Sequence, residues 1–299
     1  MTTLIFTIII PHYSDYERLF DCLNSLLAQD FDSAAFEVIV IDDCSPKDIG
    51  PVLASRWPVV KYHRQTVNQG AGAARNVGIR MAQGRYLAFI DTDATAPRRW
   101  LKGYKVLYDK GVEVACGPVH HKENFLAKLT AITAFGEYLD EKDGFRKSFP
   151  GVNFSVNAKT MEMFSFPEKM GFAGEDSLLA QAMVDAGIKI HYVGNCSVLH
   201  NPTLSMKLFN RRAYLYGKIF RVSRVRNPNL RGYLAHHYFR AASGFVLIPV
   251  RVFLDLKRAI LFRKALKLST FDIMPVFIGS LVTRIVWATG VAAGYIDSK

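Results

Sequence analysis

Four groups of residues in this chain have types and spacings that could do chemistry: Asp42-Asp43, a small-residue run ending in Arg75, Asp91-Thr92-Asp93, and Glu175-Asp176. The third closes the apolar run Tyr86-Leu87-Ala88-Phe89-Ile90. That run reads as a buried, parallel strand, whose C-terminal end opens onto a ligand crevice. Two carboxylates together at such an end are costly unless a cation or polar ligand sits between them. A hard divalent ion reaching on to phosphate oxygens would meet that need; a solvated loop with two unrelated aspartates would have the same sequence.

In Asn68-Gln69-Gly70-Ala71-Gly72-Ala73-Ala74-Arg75-Asn76-Val77-Gly78, small residues at a helix start would let an anion approach the backbone, and the helix N-terminus favours negative charge. The run lacks the third glycine of a dinucleotide fingerprint and the Gly-Lys-Ser/Thr of a P-loop. Arg75 either pairs with a phosphate or salt-bridges a neighbouring Asp. Glu175-Asp176 follows the glycine-rich turn Gly171-Phe172-Ala173-Gly174 and opens an apolar helix, where first-turn acids are also favoured by the helix dipole. His120-His121 reads as a solvated pair, since adjacent residues of a strand face opposite ways.

The elements that must position these groups alternate. Leu4–Ile10 predicts a first buried strand stopping at Pro11, and Asp15 is placed to cap a helix over Tyr16–Gln29 with Leu19, Leu23, Leu26 and Leu27 on one face. Phe36–Ile41 predicts a second strand. A short helix over Ile49–Arg56, a strand over Val59–His63, the Gly70 helix with Gly78 against the sheet, and the strand before Asp91 follow. Next come a helix over residues 98–110, one strand over Val112–Val119 ending at Gly117-Pro118, and a charged stretch from His120 to Lys147 holding a helix and a mobile loop. Strand Ile188–Val193 and the segment Val198-Leu199-His200-Asn201-Pro202 complete the series. Such alternation predicts α/β architecture with right-handed units.

The ordered set Pro11-x-Tyr13, Asp42-Asp43, Gly70 to Gly78, Gly84-Arg85-Tyr86 and Asp91-x-Asp93 resembles the inverting glycosyltransferases of family 2, over residues 1 to about 205. The resemblance implies the GT-A fold, a Rossmann-like mixed, mainly parallel sheet flanked by helices, and a glycosyltransferase domain over 1–205. It further implies that Pro11 and Tyr13 line the base, although ordinary core packing also explains Tyr13. Asp43 would accept a uracil imide N–H, Arg75 would lie near the base or diphosphate, and Asp91 would face the ribose. Asp93 would hold Mn2+ or Mg2+, with His200 as a further metal ligand or a diphosphate contact. Asn153 and Ser155 match the family's acceptor side, Asp176 its general base, and Glu175 the residue beside it that positions acceptor or turn. Lys207, Arg211 and Arg212 fit a loop closing on the diphosphate.

The expected function is transfer of a sugar from a nucleotide diphosphate sugar, a UDP-sugar above all, to a hydroxyl of a glycan or lipid-linked acceptor in cell-surface polysaccharide or glycolipid synthesis. A non-catalytic, membrane-tethered nucleotide-sugar-binding module is the alternative. A nucleotidyltransferase would need a strongly basic glycine-rich signature near the N-terminus, which is missing. The motifs do not fix donor sugar or acceptor.

Charge is unevenly spread. Of the 299 residues, 1–200 carry 21 Lys/Arg against 23 Asp/Glu, and 201–299 carry 17 against 3. A near-neutral body and a basic tail facing an anionic partner follow. From Leu204 a basic helix, Met206 to Arg226, ends at Asn227-Pro228-Asn229. Beyond it, two apolar stretches, Ala241–Leu256 broken by Pro249 and Arg251 and Ile273–Tyr295 broken by Pro275 and Arg284, flank Lys257, Arg258, Arg263, Lys264 and Lys267. The second stretch could span about 30 Å of hydrocarbon, but an internal Arg costs roughly 2.5 to 3.5 kcal/mol on insertion. The expectation is therefore a helical region over 206–299 lying on the inner face of the cell membrane of a cytoplasmic enzyme, ahead of a spanning hairpin, a helical subdomain or a dimer interface. Nucleic acid fits less well, since no groove-reading motif is visible. The four scattered cysteines suit neither zinc nor a disulfide scaffold, and no signal peptide is visible.

Overall fold

The computed structural model describes residues 4–122, 124–168, 174–202, 205–225 and 244–296. It divides into two compact units: Met1–His120 with Asp140–Gly171 and Glu175–Pro202, and His121–Leu139 with Phe172–Gly174 and Thr203–Lys299.

The first unit is built in chain order from β1 (Phe6–His12), α1 (Tyr16–Leu27), β2 (Phe36–Asp42), α2 (Gly50–Arg56), β3 (Val60–Arg64), α3 (Ala71–Met81), β4 (Tyr86–Ile90), β5 (Ala94–Thr95), α4 (Trp100–Tyr108), β6 (Val114–Cys116) and β7 (Val119–His121). The second unit's α5 (Phe125–Thr133) comes next, and then β8 (Gly144–Arg146), β9 (Asn153–Asn157), α6 (Ala158–Met161), α7 (Glu175–Asp185), β10 (Ile190–Tyr192) and β11 (Val198–His200). An eight-stranded sheet runs β3-β2-β1-β4-β9-β6-β10-β8, and a small sheet runs β5-β11-β7. Strands β3, β2, β1 and β4 are mutually parallel, whereas β9 is antiparallel to both β4 and β6. β1, β2 and β4 are buried along their whole length, with α3 packed on β1 and β2, which is why they read as unbroken apolar runs. α3 lies close on the sheet: a Cβ at Gly78 would stand 2.5 Å from Ile9 Cγ2.

Several expected boundaries move, each for a local reason. β1 continues through Pro11, which pairs with Ile41 of β2, while its ladder to β4 ends at Ile9. On that side Thr92 Oγ1 donates to Pro11 O at 2.9 Å, so the missing proline N–H leaves no ladder bond unmade. Asp15 makes no side-chain cap on α1, because Arg18 takes its carboxylate at 2.6 Å. Leu27 is partly exposed while Leu19, Leu23 and Leu26 are buried. The strand expected over Val112–Val119 is two, β6 and β7, which part at Gly117-Pro118 into different sheets. Within the stretch expected to hold a mobile loop, Gly144–Arg146 adds an antiparallel edge strand to β10, fixed by Arg146 pairing with Asp140 at 2.8 Å and stacking on Tyr192 at 3.9 Å.

In the second unit α5 joins α8 (Met206–Val225), α9 (Ile248–Leu261) and α10 (Ile273–Ile296). Ala131, Ile132, Leu139, Ala259, Leu266, Leu268 and Val276 form a core cluster there. Lys207, Arg211 and Arg212 stand in the helix α8, not in a loop, and Ser205 accepts from Leu208 N at its start. Pro249 opens α9 and does not break it, because the first turn has no use for its N–H. Arg284 is buried, and Asp255 takes its Nε at 2.8 Å and its Nη2 at 2.7 Å, with Ser280 Oγ on the same carboxylate at 2.6 Å. The Arg expected to burden a membrane span is thus paired inside the unit. The expected break at Asn227-Pro228-Asn229, residues 241–243 of the first apolar stretch and the turn residues Gly171-Phe172-Ala173 lie outside the described residues.

Candidate active site

The parallel strands β1, β2 and β4 end side by side, and two of them end in acids, β2 at Asp42-Asp43 and β4 before Asp91-Thr92-Asp93. Asp42 and Asp43 separate at the end of β2. Asp42 turns inward, where Ser45 Oγ, Ser45 N at 2.9 Å and Tyr62 OH at 2.7 Å occupy it. Asp43 faces the α3 start: Oδ1 accepts from Gln65 Nε2 and Gln69 N, both at 2.8 Å, and Oδ2 from Gly70 N at 2.7 Å. The anion at this helix start is therefore the protein's own carboxylate, and Gly70 adopts φ 92°, a region that side chains avoid, to present its N–H. Burial raises the pKa of Asp43, opposed by the Gln69 and Gly70 N–H groups. Its Oδ2 keeps acceptor capacity beyond the single backbone bond. The neighbouring turns at Ser14 and Cys44 both take positive φ, 58° and 60°, and Ser14 N donates to Ser45 Oγ at 3.0 Å. Tyr13, 49% exposed, is not a core residue; Pro11 beside it is buried in β1.

Arg75 holds the centre. Only 2% exposed, it gives Nη2 to Asp91 Oδ1 and Nη1 to Glu175 Oε1, each at 2.6 Å, and lies 5.3 Å from the Phe166 ring centroid. Burial opposes its charge, but the surrounding carboxylates outweigh burial and raise its pKa. Of the two roles open to Arg75, the structure makes it an internal ion-pair partner. Both Nη ends of the guanidinium meet acids, while its Nε has no hydrogen-bond partner among the described residues.

Asp176 is joined to the same network through Gly151. Gly151 N donates to Asp176 Oδ2 at 2.8 Å, and Gly151 O accepts from Arg75 Nη2 at 3.4 Å. A Cβ on Gly151 would stand 3.1 Å from both Arg75 Nη2 and Asp176 Oδ2, so the contact is tight. The Asp176 pKa is pushed up to about 6, by burial first and then by the Glu175 carboxylate, against the pull of Gly151 N, Arg75 and Ser177 N. Asp91 is also raised, by burial first and Asp93 behind it, although Arg75 pulls it down.

Asp93 meets His200 through the small sheet. β11 pairs antiparallel with β5, placing His200 opposite Ala94, and His200 Nε2 lies 3.2 Å from Asp93 Oδ1. Asn201 N also donates to Asp93 O at 2.7 Å. Among the described residues no three His, Cys, Asp or Glu side chains gather as a metal cage. The pair of one carboxylate and one imidazole fits a hard divalent ion that takes its other positions from phosphate oxygens and water.

Asn153 and Ser155 are not at the crevice. Both are fully buried on β9, between β4 and β6. Asn153 Oδ1 accepts from Trp100 Nε1 at 3.0 Å and Tyr104 OH at 2.8 Å, and its Nδ2 donates to Pro118 O and Cys196 O. Ser155 Oγ accepts from Tyr108 OH at 2.6 Å and donates to Leu87 O at 2.8 Å. Their hydrogen-bonding capacity is spent on bracing α4 against the sheet, leaving nothing for an acceptor sugar. His120 and His121 share no ion: His120 lies 3.6 Å from Glu141 and His121 packs against Phe135.

Sequence reasoning passed over Gly151, Asn76 and His12. Asn76 exchanges hydrogen bonds with Phe166 N and O, each at 2.9 Å, fixing the ring beneath Arg75. His12, at the end of β1, is buried with Nδ1 3.5 Å from Thr92 Oγ1, and burial lowers its pKa. The Pro150-Gly151 and Arg75-Asn76 dipeptides were the only signals available for the first two.

The family model described as Glycosyl transferase family 2 matches residues 7–167. Among curated proteins, poly(ribitol-phosphate) beta-N-acetylglucosaminyltransferase TarS of Staphylococcus aureus is 28% identical over 134 residues, 44% of this chain and 22% of that protein. Glycosyltransferase AglE of Haloferax volcanii is 32% identical over 117 residues, 38% of each chain. The match thus spans well under half the length of these relatives. Among solved structures, mannosyltransferase PcManGT from Pyrobaculum calidifontis, in complex with GDP-Man and Mn2+, superposes with a TM-score of 0.64 at 18% identity, covering 98% of this chain and 87% of its own. S. aureus TarS 1–349 in complex with UDP-GlcNAc gives 0.53 at 17% identity, covering 99% and 93%. At such identities the likeness is one of fold, and the fold is GT-A.

Proposed function

The chain belongs to glycosyl transferase family 2, and from that premise we propose that it moves a sugar from a nucleotide diphosphate sugar, a UDP-sugar, to a hydroxyl of a glycan or lipid-linked acceptor with inversion at the anomeric carbon. The observation that carries this reading is Asp176: a carboxylate at a helix start, with its pKa pushed up to about 6 and its orientation fixed by Gly151. A base poised near neutral pH suits removal of a hydroxyl proton. Asp176 takes that proton as the acceptor oxygen bonds to the anomeric carbon, and the bond from that carbon to the diphosphate oxygen breaks, its electron pair leaving with the nucleoside diphosphate.

Other residues position. Asp43, short of water yet with acceptor capacity left, suits the base N–H, and Tyr13 offers an exposed ring beside it. Asp91, half-buried and oriented by Arg75, faces the ribose. Glu175 acts through Arg75, tying the helix that carries Asp176 to the strand that carries Asp91. Asp93 and His200 would hold Mn2+ or Mg2+, which when bound neutralises charge on the departing diphosphate. S. aureus TarS bound to UDP-GlcNAc and a fold neighbour bound to GDP-Man and Mn2+ support nucleotide-sugar and divalent-metal use. We place the enzyme in the cytoplasm with its helical unit, rich in exposed apolar and basic residues, at a membrane surface, where lipid-linked or surface-polysaccharide acceptors are made.

A panel of nucleotide sugars, assayed for nucleoside diphosphate release with Mn2+, with Mg2+ and with chelator, tests the reading. One donor should be turned over only with a divalent ion, and release from none of them in any condition would contradict it.

A further inference from the structure

The helical unit leaves an apolar surface uncovered at one end. α9 and α10 pack on each other as a hairpin, joined by residues 262–272. The turn is firmly seated: Leu266 and Leu268 point into the core cluster, and Asp272 caps the turn through Ser269 N at 2.6 Å. Around it Ile260 and Leu261, the last residues of α9, are about two-thirds exposed, Phe271 is 90% exposed, and Met274 in the first turn of α10 is exposed as well. Farther back, Phe253 on α9 and Ile278 on α10 continue the surface. Exposed large apolar side chains gathered on an ordered hairpin mark an interaction surface.

Charge identifies what covers it. Lys257, Arg263 and Lys264 stand exposed around the same tip, and no described carboxylate pairs with them. Over residues 244–296 there are 7 Lys/Arg and 2 Asp/Glu, and both acids are spent internally, Asp255 on Arg284 and Asp272 on Ser269. An apolar patch ringed by uncompensated cations complements an anionic lipid surface. Two copies meeting through this patch would bring like charges together. Insertion across the bilayer is a poor fit. α9 has only 14 residues, and α10, though 24 long and apolar enough, buries one face with Ser280, Thr283 and Arg284 inside the unit.

We propose that this hairpin tip, Ile260, Leu261, Phe271 and Met274 with Lys257, Arg263 and Lys264 around them, dips into the headgroup region of a bilayer containing anionic phospholipid. The proposal rests on the reading of the helical unit as membrane-facing and gives it a surface, a depth and a lipid chemistry. The apolar side chains enter the acyl boundary, and the cations stay at the phosphates.

The test uses the full chain, sedimented with phosphatidylcholine vesicles with and without phosphatidylglycerol, with donor turnover and a thermal melt recorded on the same samples. Wild-type protein should bind the anionic vesicles and be released by high salt. The double variant Leu261→Glu/Phe271→Glu should lose at least about tenfold in partition, since each side chain forfeits its apolar burial, with melt and turnover unchanged. Lys257→Glu/Lys264→Glu should remove the preference for phosphatidylglycerol, worth about fivefold per charge. Failure of wild type to bind either vesicle overturns the proposal together with the membrane reading. Binding that both variants retain overturns the tip alone and leaves that reading standing. Equal binding to neutral and anionic vesicles, or a lipid-free dimer that the variants dissociate, overturns the anionic-lipid assignment, and neither result touches donor turnover.

Discussion

Both units bury an arginine against carboxylates, and the two arrangements differ in what is left over. In the helical unit Arg284 meets Asp255 through two hydrogen bonds, with Ser280 on the same carboxylate and Thr133 O on Arg284 Nη2 at 3.0 Å. Arg258 Nη1 also stands 3.6 Å from Asp255 Oδ1, so the one acid is met by two arginines and is spent inside the unit. In the catalytic unit Arg75 meets Asp91 and Glu175, while Asp93 helps raise the pKa of Asp91 and Glu175 that of Asp176. One cation faces four carboxylates. An acid spent on internal arginines is a structural device; a cluster with surplus negative charge suits the divalent ion and the base of the proposed function.

The sharpest break in that comparison is at Asp93. Asp93→Ala, which removes the acid next to His200, should cut metal-dependent transfer by about a thousandfold, several kcal/mol of leaving-group stabilisation, without lowering the melting temperature. Activity at the wild-type level would remove Asp93 from the metal site. Asp255→Ala should do the reverse. Leaving Arg284 buried and unpaired should cost roughly 3–5 kcal/mol of stability, read as an earlier denaturant midpoint, while kcat on a soluble acceptor below that midpoint holds. A loss of turnover in still-folded protein would mean that the two networks are not separate in function. The third prediction concerns pH. As the proposed base, Asp176 would act deprotonated, and with its pKa pushed up to about 6, kcat/KM should rise about tenfold per pH unit below 6 and level off above it; a profile flat from pH 5 to 8 would contradict a base titrating there. The smallest effect belongs to Ser155. Ser155→Ala strands Tyr108 OH and should cost about 1–3 kcal/mol of stability, with the acceptor KM unchanged; a large rise in that KM would restore Ser155 to the acceptor site.

The same contrast explains what could be read from the amino acids. β1, β2 and β4 are long, apolar on both faces and end abruptly in polar residues, so the strands and Asp43, Asp91 and Asp93 at their ends were visible together. Glu175-Asp176 was visible as an acidic helix start. Partnership was not. Arg75 and Glu175 lie 100 positions apart, and only the fold decides whether a guanidinium meets a phosphate or a carboxylate. Asn153 and Ser155 alternate with apolar residues as a half-exposed strand does, yet β9 lies mid-sheet with Trp100, Tyr104 and Tyr108 over it, and those ring N–H and O–H groups require buried acceptors. β5 has two residues and β11 three, too few for any periodicity, so the pairing that sets His200 beside Asp93 left no trace beyond the residue types. Asp255 was overlooked because it is one acid in a basic, apolar stretch, and with it the means by which Arg284 is buried.

The most direct test of the account is Asp176→Asn, measured as single-turnover transfer beside nucleoside diphosphate binding by calorimetry. Loss of the base should slow transfer by about a hundredfold to ten-thousandfold while the nucleotide binds as it does to wild type. Transfer at the wild-type rate with binding intact would contradict the assignment of Asp176 and, with it, the role given to the surplus charge around Arg75.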